Sequence, residues 1–208
     1  MHGRPCLDFD PQALDEDGHL LPADRRSRRS IVCTRSFGQP QHELEVLQEA
    51  IAAFTCRAAE KMRQQHLAAH LITVILGTNR FKARSGPATA STTLTLPVAT
   101  TDTGELLTAA RNALQRLWRP GTSYTRTGVL LCGLEAADNI QASLFAQAPE
   151  QRNRTQLMTT IDALNRRFGR GRVSYAAAGV NSATAVWKGR SAMRSGLYTT
   201  SWEELWQI

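Results

Sequence analysis

The chain has 208 residues and a formal net charge of +7, a length that can bury one or two hydrophobic cores. No apolar run reaches the roughly 20 residues of a membrane-spanning helix, and the N-terminus lacks the apolar stretch of a secretory signal. The four cysteines are far apart and form no C-x-x-C pair, which argues against a zinc site and a disulfide framework. We therefore expect no membrane partner, a cytoplasmic location and reduced thiols.

The charge is unevenly distributed. Residues 1–24 hold six acidic residues and one arginine, whereas residues 25–208 hold 24 basic and 12 acidic residues, and most of the basic ones are arginine. Arginine presents a planar fork of donors that suits phosphate. This composition indicates a nucleic-acid partner, with a merely solvated basic surface as the alternative.

The first elements follow the acidic segment. Residues 30–35 are β-branched and apolar and predict a strand that ends at Gly38 and Pro40. A helix is predicted over residues 41–65, since apolar residues recur there every three or four positions, as a core-facing stripe does. The stripe consists of Leu44, Leu47, Ile51, Phe54, Ala58 and Met62.

Three strands and a second helix complete the first part of the chain. Residues 70–78 and 89–99 predict strands, the latter at a sheet edge because Pro97 cannot donate to a ladder. Asp102 begins a capping-box pattern that opens a helix. A last strand is predicted over residues 124–134.

The order β-α-β-β-α-β is the ferredoxin-like split pattern of the α+β class, a four-stranded antiparallel sheet with both helices on one face. Its other face is then open. Four arginines at positions 25, 26, 28 and 29 lead into the first strand, so linker and sheet could follow one phosphate backbone together.

Residues 135–156 lack periodicity and are interpreted as a linker. A third helix over 155–168 ends at Gly169, and residues 171–179 could form a strand. Together with the tryptophan-containing C-terminus, these segments predict a small second α/β module.

The sequence holds no catalytic constellation. His66 and His70 are four apart, but the glutamate of a zinc protease is missing and the helix is predicted to end between them. The turn Gly169–Arg172 follows a helix, the reverse of a phosphate-cradling loop, although its arginines could touch phosphate. Paired carboxylates that hold magnesium for phosphoryl transfer are absent as well. We expect no catalysis by this chain alone, and no cofactor.

A short motif lies in the predicted linker. Gln141 is followed, after two free positions, by Leu144 and Phe145. Adjacent Leu and Phe side chains are costly to leave in water, so they predict a pocket, either on a partner or on the chain's own second module.

Several stretches together resemble the C-terminal part of UmuC-like Y-family translesion DNA polymerases of the bacterial SOS response. The resemblance covers nearly the whole chain. The matching stretches are HGRPCLDFD, CTRSFG, AAEKMR, RTGVLLCGL, QLMTTIDALNRRFGRGRVSYAAAG and SAMRSGLYTTSWEEL.

The resemblance implies four regions: a linker from the missing thumb (1–29), a little-finger DNA-binding domain (30–134), a linker with a sliding-clamp motif (135–154), and the family's C-terminal domain (155–208). It implies error-prone translesion synthesis and DNA repair as the setting. The implied partners are primer–template DNA, the sliding clamp, a UmuD-like accessory subunit and RecA, and magnesium belongs to the missing catalytic domain.

The resemblance also assigns site residues. Gln141, Leu144 and Phe145 match the family's Gln-x-x-Leu-Phe clamp motif. Phosphate binding is expected from two basic groups: Arg25, Arg26, Arg28, Arg29 and Arg35 form the first, and Arg80, Lys82 and Arg84 form the second.

The chain departs from the family in two ways. Palm, fingers and thumb are missing, so the chain is expected to be a fragment or a truncated reading frame without polymerase activity. The family's Ser-Pro-x-Tyr-Thr-Thr appears at residues 195–200 without its proline. The alternative hypothesis is a protein-interaction module that docks the clamp, a UmuD-like subunit or RecA and hardly binds DNA.

Overall fold

A computed structural model describes residues 30–79, 89–139, 148–179 and 185–189. The order of elements confirms the predicted β-α-β-β-α-β sequence, which a third helix follows. The elements are β1 (Ser30–Gln41), α1 (Leu44–Arg63), β2 (Leu67–Thr78), β3 (Thr89–Thr100), α2 (Thr103–Leu117), β4 (Tyr124–Ala136) and α3 (Ala148–Phe168), with short 3₁₀ turns at Ala137–Asn139 and Ala176–Ala178.

The four strands form one antiparallel sheet in the order β1-β4-β2-β3. The α+β class is confirmed, and so is the position of β3 at an edge. β4 lies between β1 and β2, and β2 lies between β3 and β4, so the sheet contains two interlocked split β-α-β units. In this order β2 and β4 are the central strands.

β1 is longer than predicted. It pairs with β4 without interruption from Ser30 to Ser36, and the register then shifts before Gln41 pairs with Tyr124. Gly38 and Pro40 lie in the shifted stretch, where they interrupt the ladder without ending the strand. An edge strand tolerates this irregularity because one of its sides has no ladder to maintain.

Both α1 and α2 pack on one face of the sheet and enclose the core. The predicted stripe of α1 is confirmed, since all of its members are buried except Leu44, which is partly buried. Asp102 caps α2 by accepting the Gly104 N–H at 2.6 Å. The Asp102 N–H donates to the Thr100 hydroxyl, which takes the place of the glutamate in a capping box.

The C-terminal region differs most from the prediction. α3 begins at Ala148 rather than near residue 155, and residues 171–179 form bends and a 3₁₀ turn instead of a strand. Gly169 and Gly171 adopt positive φ angles of 102° and 78°, which fold the chain back against α3. No helix within the described ranges is long and apolar enough to span a bilayer.

Candidate nucleic-acid interface

The face of the sheet opposite the helices is uncovered along the described strands. The strand register arranges its residues in four rows that run across the sheet in the order β1, β4, β2, β3. The rows are Ser30, Cys132, Leu71 and Thr95; Val32, Leu130, Thr73 and Thr93; Thr34, Gly128, Ile75 and Ser91; and Ser36, Arg126, Gly77 and Thr89. We call this surface the open face.

Hydroxyl groups dominate the two edge strands of the open face, while apolar side chains lie nearer its centre. Val32 is the apolar exception on edge strand β1, and it is 49% exposed. Across β2 and β3, the Thr73 and Thr93 hydroxyls form a hydrogen bond of 2.8 Å. Hydroxyls are small donors that can contact phosphate oxygens without reading a base.

Glycine allows close strand packing in the third row. A Cβ added at Gly128 would lie 2.8 Å from the Cα of Thr34, because the Thr34 side chain lies over this position. Gly77 stands one row further along, beside Arg126. The Thr34 side chain therefore covers Gly128, and both glycines are buried.

The four rows of the open face hold one charged side chain, that of Arg126, whose Nε donates to the Ser36 hydroxyl at 3.4 Å. Beyond the Cys132 row, β4 continues to the exposed Glu135. Arg126 is not among the residues that the sequence predicted to bind phosphate. The burial of the alternating residues Thr127, Val129 and Leu131 places Arg126 on the opposite face.

Arg35 is the one described residue among those predicted to bind phosphate. It is exposed, but the register pairs it with buried Thr127, which places it on the helix side of the edge strand rather than on the open face. DNA binding by Arg35 stays a prediction.

Cys33 lies on the same side of β1 as Arg35. Burial raises the pKa of its thiol, and the nearby charges of Lys61, Arg57 and Arg35 oppose that rise.

The other predicted site residues lie outside the described residues. They are Arg25, Arg26, Arg28, Arg29, Arg80, Lys82, Arg84, Gln141, Leu144 and Phe145. The described neighbours of the two basic groups lie at opposite ends of the open face. Ser30, which follows the first group, is in the Cys132 row, and Thr89, which follows the second group, is in the Arg126 row.

The two histidines do not share a helix. His66 has a φ of 54° in the turn that follows α1, and His70 lies in β2. The turn is closed by the His66 N–H, which donates to the Arg63 carbonyl, and by the His66 carbonyl, which accepts the Ala137 N–H at 2.8 Å. These contacts give His66 a structural role at the junction of α1 and β2.

Comparison with known families finds two matches. Residues 28–144 match the family described as the impB/mucB/samB family C-terminal domain. Residues 155–208 match a domain of unknown function.

Curated proteins of similar sequence are longer than this chain. Protein MucB of Salmonella typhimurium is 33% identical over 179 residues, which are 86% of this chain and 41% of MucB. Protein UmuC of Salmonella typhimurium strain LT2 is 29% identical over 208 residues, all of this chain and 46% of UmuC. DNA polymerase IV of Caulobacter vibrioides is 30% identical over 157 residues, 76% of this chain and 36% of that polymerase. The chain thus spans less than half the length of these relatives.

Two solved structures are weakly similar to the chain. An insertion ternary complex of Dbh DNA polymerase matches 56% of this chain and 31% of its own, with 14% identity and a TM-score of 0.43. A complex of the β-clamp processivity factor with the little-finger domain of PolIV matches 56% of this chain and 99% of its own, with 13% identity and a TM-score of 0.39.

Proposed function

Because this chain belongs to the impB/mucB/samB family of C-terminal domains, we propose that it is the DNA-binding and clamp-tethering region of an error-prone Y-family polymerase that acts in translesion synthesis. In this proposal the little finger holds the primer–template duplex by its phosphates, and a peptide after β4 holds the sliding clamp. Catalysis, with its magnesium, belongs to other parts of such a polymerase.

The observation that carries the proposal is the open face, an uncovered surface with hydroxyls at its edges, Arg126, and no acidic residue. The positive charge of Arg126 attracts a polyanion, and hydroxyl and arginine donors bind phosphate oxygens whatever the base sequence. A polymerase that must pass damaged bases needs this kind of binding, since it cannot depend on base edges.

The first test is fluorescence anisotropy of the whole chain with a labelled primer–template duplex at several salt concentrations. We expect binding that weakens steeply with salt. Arg126→Gln should weaken it by roughly three- to tenfold. The matched control is Arg111→Gln, because Arg111 is exposed on α2, on the other side of the sheet, and we expect less than a twofold effect from it.

The arginine run provides a second variant. Changing Arg25, Arg26, Arg28 and Arg29 to Glu should abolish duplex binding at moderate salt. If the wild-type chain does not bind duplex DNA even at low salt, the proposal is contradicted and a protein-docking module is favoured.

Clamp tethering rests on the motif Gln141-Ala142-Ser143-Leu144-Phe145. Leu144 and Phe145 would enter an apolar pocket of the clamp, and Gln141 would donate or accept at its rim. The double change Leu144→Ala and Phe145→Ala should abolish clamp pull-down and leave duplex binding intact. A matched control is Leu157→Ala with Val186→Ala, since both side chains are more than half exposed; clamp capture should survive it.

A UmuD-like subunit and RecA are further proposed partners. Each is tested by pull-down with the clamp-motif variant, which should retain both proteins if they bind elsewhere on the chain.

A further inference from the structure

The end of α3 and the turn after it form an exposed basic surface that the proposed function does not use. We call residues 164–173 the α3 tip. Its arginines are Arg166, Arg167, Arg170 and Arg172, all exposed. No acidic residue occurs anywhere in residues 163–179, so no carboxylate on this stretch neutralises them.

The α3 tip has a fixed shape. The Asn165 side chain forms two hydrogen bonds with the backbone of Val173. Its Nδ2 donates to the Val173 carbonyl, and its Oδ1 accepts the Val173 N–H, both at 2.9 Å. The Arg172 Nε donates to the Phe168 carbonyl at 3.2 Å and so closes the end of the helix. These bonds hold the turn against α3, which reduces the entropy lost when a ligand binds the arginines.

An aromatic ring lies among these charges. Phe168 is 57% exposed, and the Arg167 guanidinium carbon lies 5.2 Å from the centre of its ring. Leu164 and Val173 beside it are 37% and 38% exposed. The core therefore does not account for the position of Phe168. An exposed ring with a guanidinium above it offers two flat surfaces for stacking.

We propose that the α3 tip is a binding site for single-stranded nucleic acid. The arginines would hold successive phosphates, and Phe168 with Arg167 would stack against an unpaired base. A single strand fits better than a duplex, because the bases of a duplex are already stacked and cannot cover the ring. A single strand also fits better than an acidic protein segment. Carboxylates would pair with the arginines, but they would not stack on the ring of Phe168.

The proposed site is independent of the open face. α3 is anchored to the helix layer through the pair of Asp162 with Arg63 of α1 and that of Arg154 with Glu105 of α2. These helices cover the opposite side of the sheet. Single-strand binding at the α3 tip therefore does not require DNA binding by the open face, and a chain without that activity could still bind a single strand.

The test is fluorescence anisotropy of the whole chain with a labelled oligothymidine of about 20 nucleotides, a length that several basic contacts can span. The triple change Arg166→Gln, Arg167→Gln and Arg170→Gln should lower affinity about tenfold and reduce the salt slope by about 2. Arg172 is retained because it closes the helix. The matched control is Arg111→Gln, Arg116→Gln and Arg119→Gln, an equal loss of charge at exposed residues of α2 and the turn after it, which should change affinity less than threefold.

Stacking is tested separately. Phe168→Ala should weaken oligothymidine binding about fivefold without changing the salt slope, and an abasic oligomer of equal length should bind wild type and Phe168→Ala alike. Three results would overturn the proposal: equal losses in the two triple variants, an unchanged affinity of Phe168→Ala, or competition by polyglutamate as effective as that by oligothymidine at equal charge, which would indicate an acidic protein as the partner.

Discussion

Arg63 is one of the residues that join α1 to the C-terminal region. Its Nε and Nη2 donate to the two carboxylate oxygens of Asp162 at 2.7 and 2.8 Å, and its Nη1 donates to the Thr101 carbonyl and the Thr103 hydroxyl. The side chains of Arg63 and Asp162 are only 12% and 15% exposed. Such a bidentate pair with little access to water holds two helices in a defined position.

Removing the carboxylate should therefore be costly. We expect Asp162→Ala to lower the free energy of unfolding by about 3 kcal/mol, because a nearly buried guanidinium loses its counter-charge. Arg154→Ala is the control, since Arg154 is 48% exposed in its pair with Glu105, and we expect it to cost less than about 1 kcal/mol. Urea unfolding of both variants measures the difference; equal costs would contradict the importance of the Arg63 pair.

Cys56 predicts a pH dependence of stability. Burial raises the pKa of its thiol from the ordinary 9.0 to about 11, although Arg63 opposes the rise. Between these values the unfolded chain binds fewer protons than the folded chain, so stability falls as pH rises. Relative to Cys56→Ala, the wild type should lose about 1–2 kcal/mol between about pH 8.5 and pH 10.5. Urea unfolding at both pH values measures this, and parallel losses in the two proteins would refute it.

At the scale of elements, the segment 185–189 packs on the core through Trp187 and Ala185. Trp187 is 3% exposed, and its ring meets that of Phe54 edge to face, with centroids 5.3 Å apart and an interplanar angle of 78°. Its indole N–H donates to Glu49 Oε1 at 3.1 Å. The C-terminal region thus contributes to the same hydrophobic cluster as the sheet and its two helices.

The contribution of Trp187 is open to measurement. Trp187→Ala should lower the free energy of unfolding by about 3–5 kcal/mol, since it leaves a cavity against Phe54. Trp187→Phe keeps most of the packing and loses the hydrogen bond to Glu49, so we expect a cost of about 1–2 kcal/mol. Thermal unfolding followed by circular dichroism ranks the three proteins, and a Trp187→Ala variant as stable as wild type would show that the docking contributes nothing.

Elements differ in how well the sequence predicts them. The α1 stripe from Leu47 to Met62 and the Asp102 cap could be read directly, because periodicity and capping are local signals. The extension of β1 past Pro40 could not, since it depends on pairing with Tyr124 far along the chain. The prediction of a strand over 171–179 was wrong. The side chain of Asn165, on the preceding helix, forms hydrogen bonds with the Val173 N–H and carbonyl, which are then not free to pair with a neighbouring strand.

The candidate site was predictable only in part. The basic composition predicted a polyanionic partner. The order of the elements predicted a sheet with one uncovered face. The assignment of Arg35, by contrast, followed from its neighbourhood in sequence and not from the register, which places Arg126 rather than Arg35 on that face. Face assignment requires knowing which neighbours are buried, and a short run of alternating residues settles this only once the partner strand is known.

At the scale of the whole molecule, the two regions matched by separate families share one core. The pair of Arg63 with Asp162 and the docking of Trp187 on Phe54 both cross the boundary between them. We expect the chain to unfold in one transition, with tryptophan fluorescence and far-ultraviolet circular dichroism coinciding in urea. In the double variant Asp162→Ala and Trp187→Ala the two signals should separate. Two transitions in wild type would mean that the regions fold independently.

The strand order also has a consequence for synthesis on the ribosome. β1 has a single neighbour in the sheet, β4, which emerges about a hundred residues later, so this contact has a high sequence separation. We expect the β2–β3 hairpin to form early, while β1, which includes Ile31 and Val32, still has no partner strand. A nascent chain that stalls before Tyr124 should therefore hold a hairpin and an unpaired β1 segment instead of a smaller sheet, and we expect it to be prone to aggregation until β4 is made.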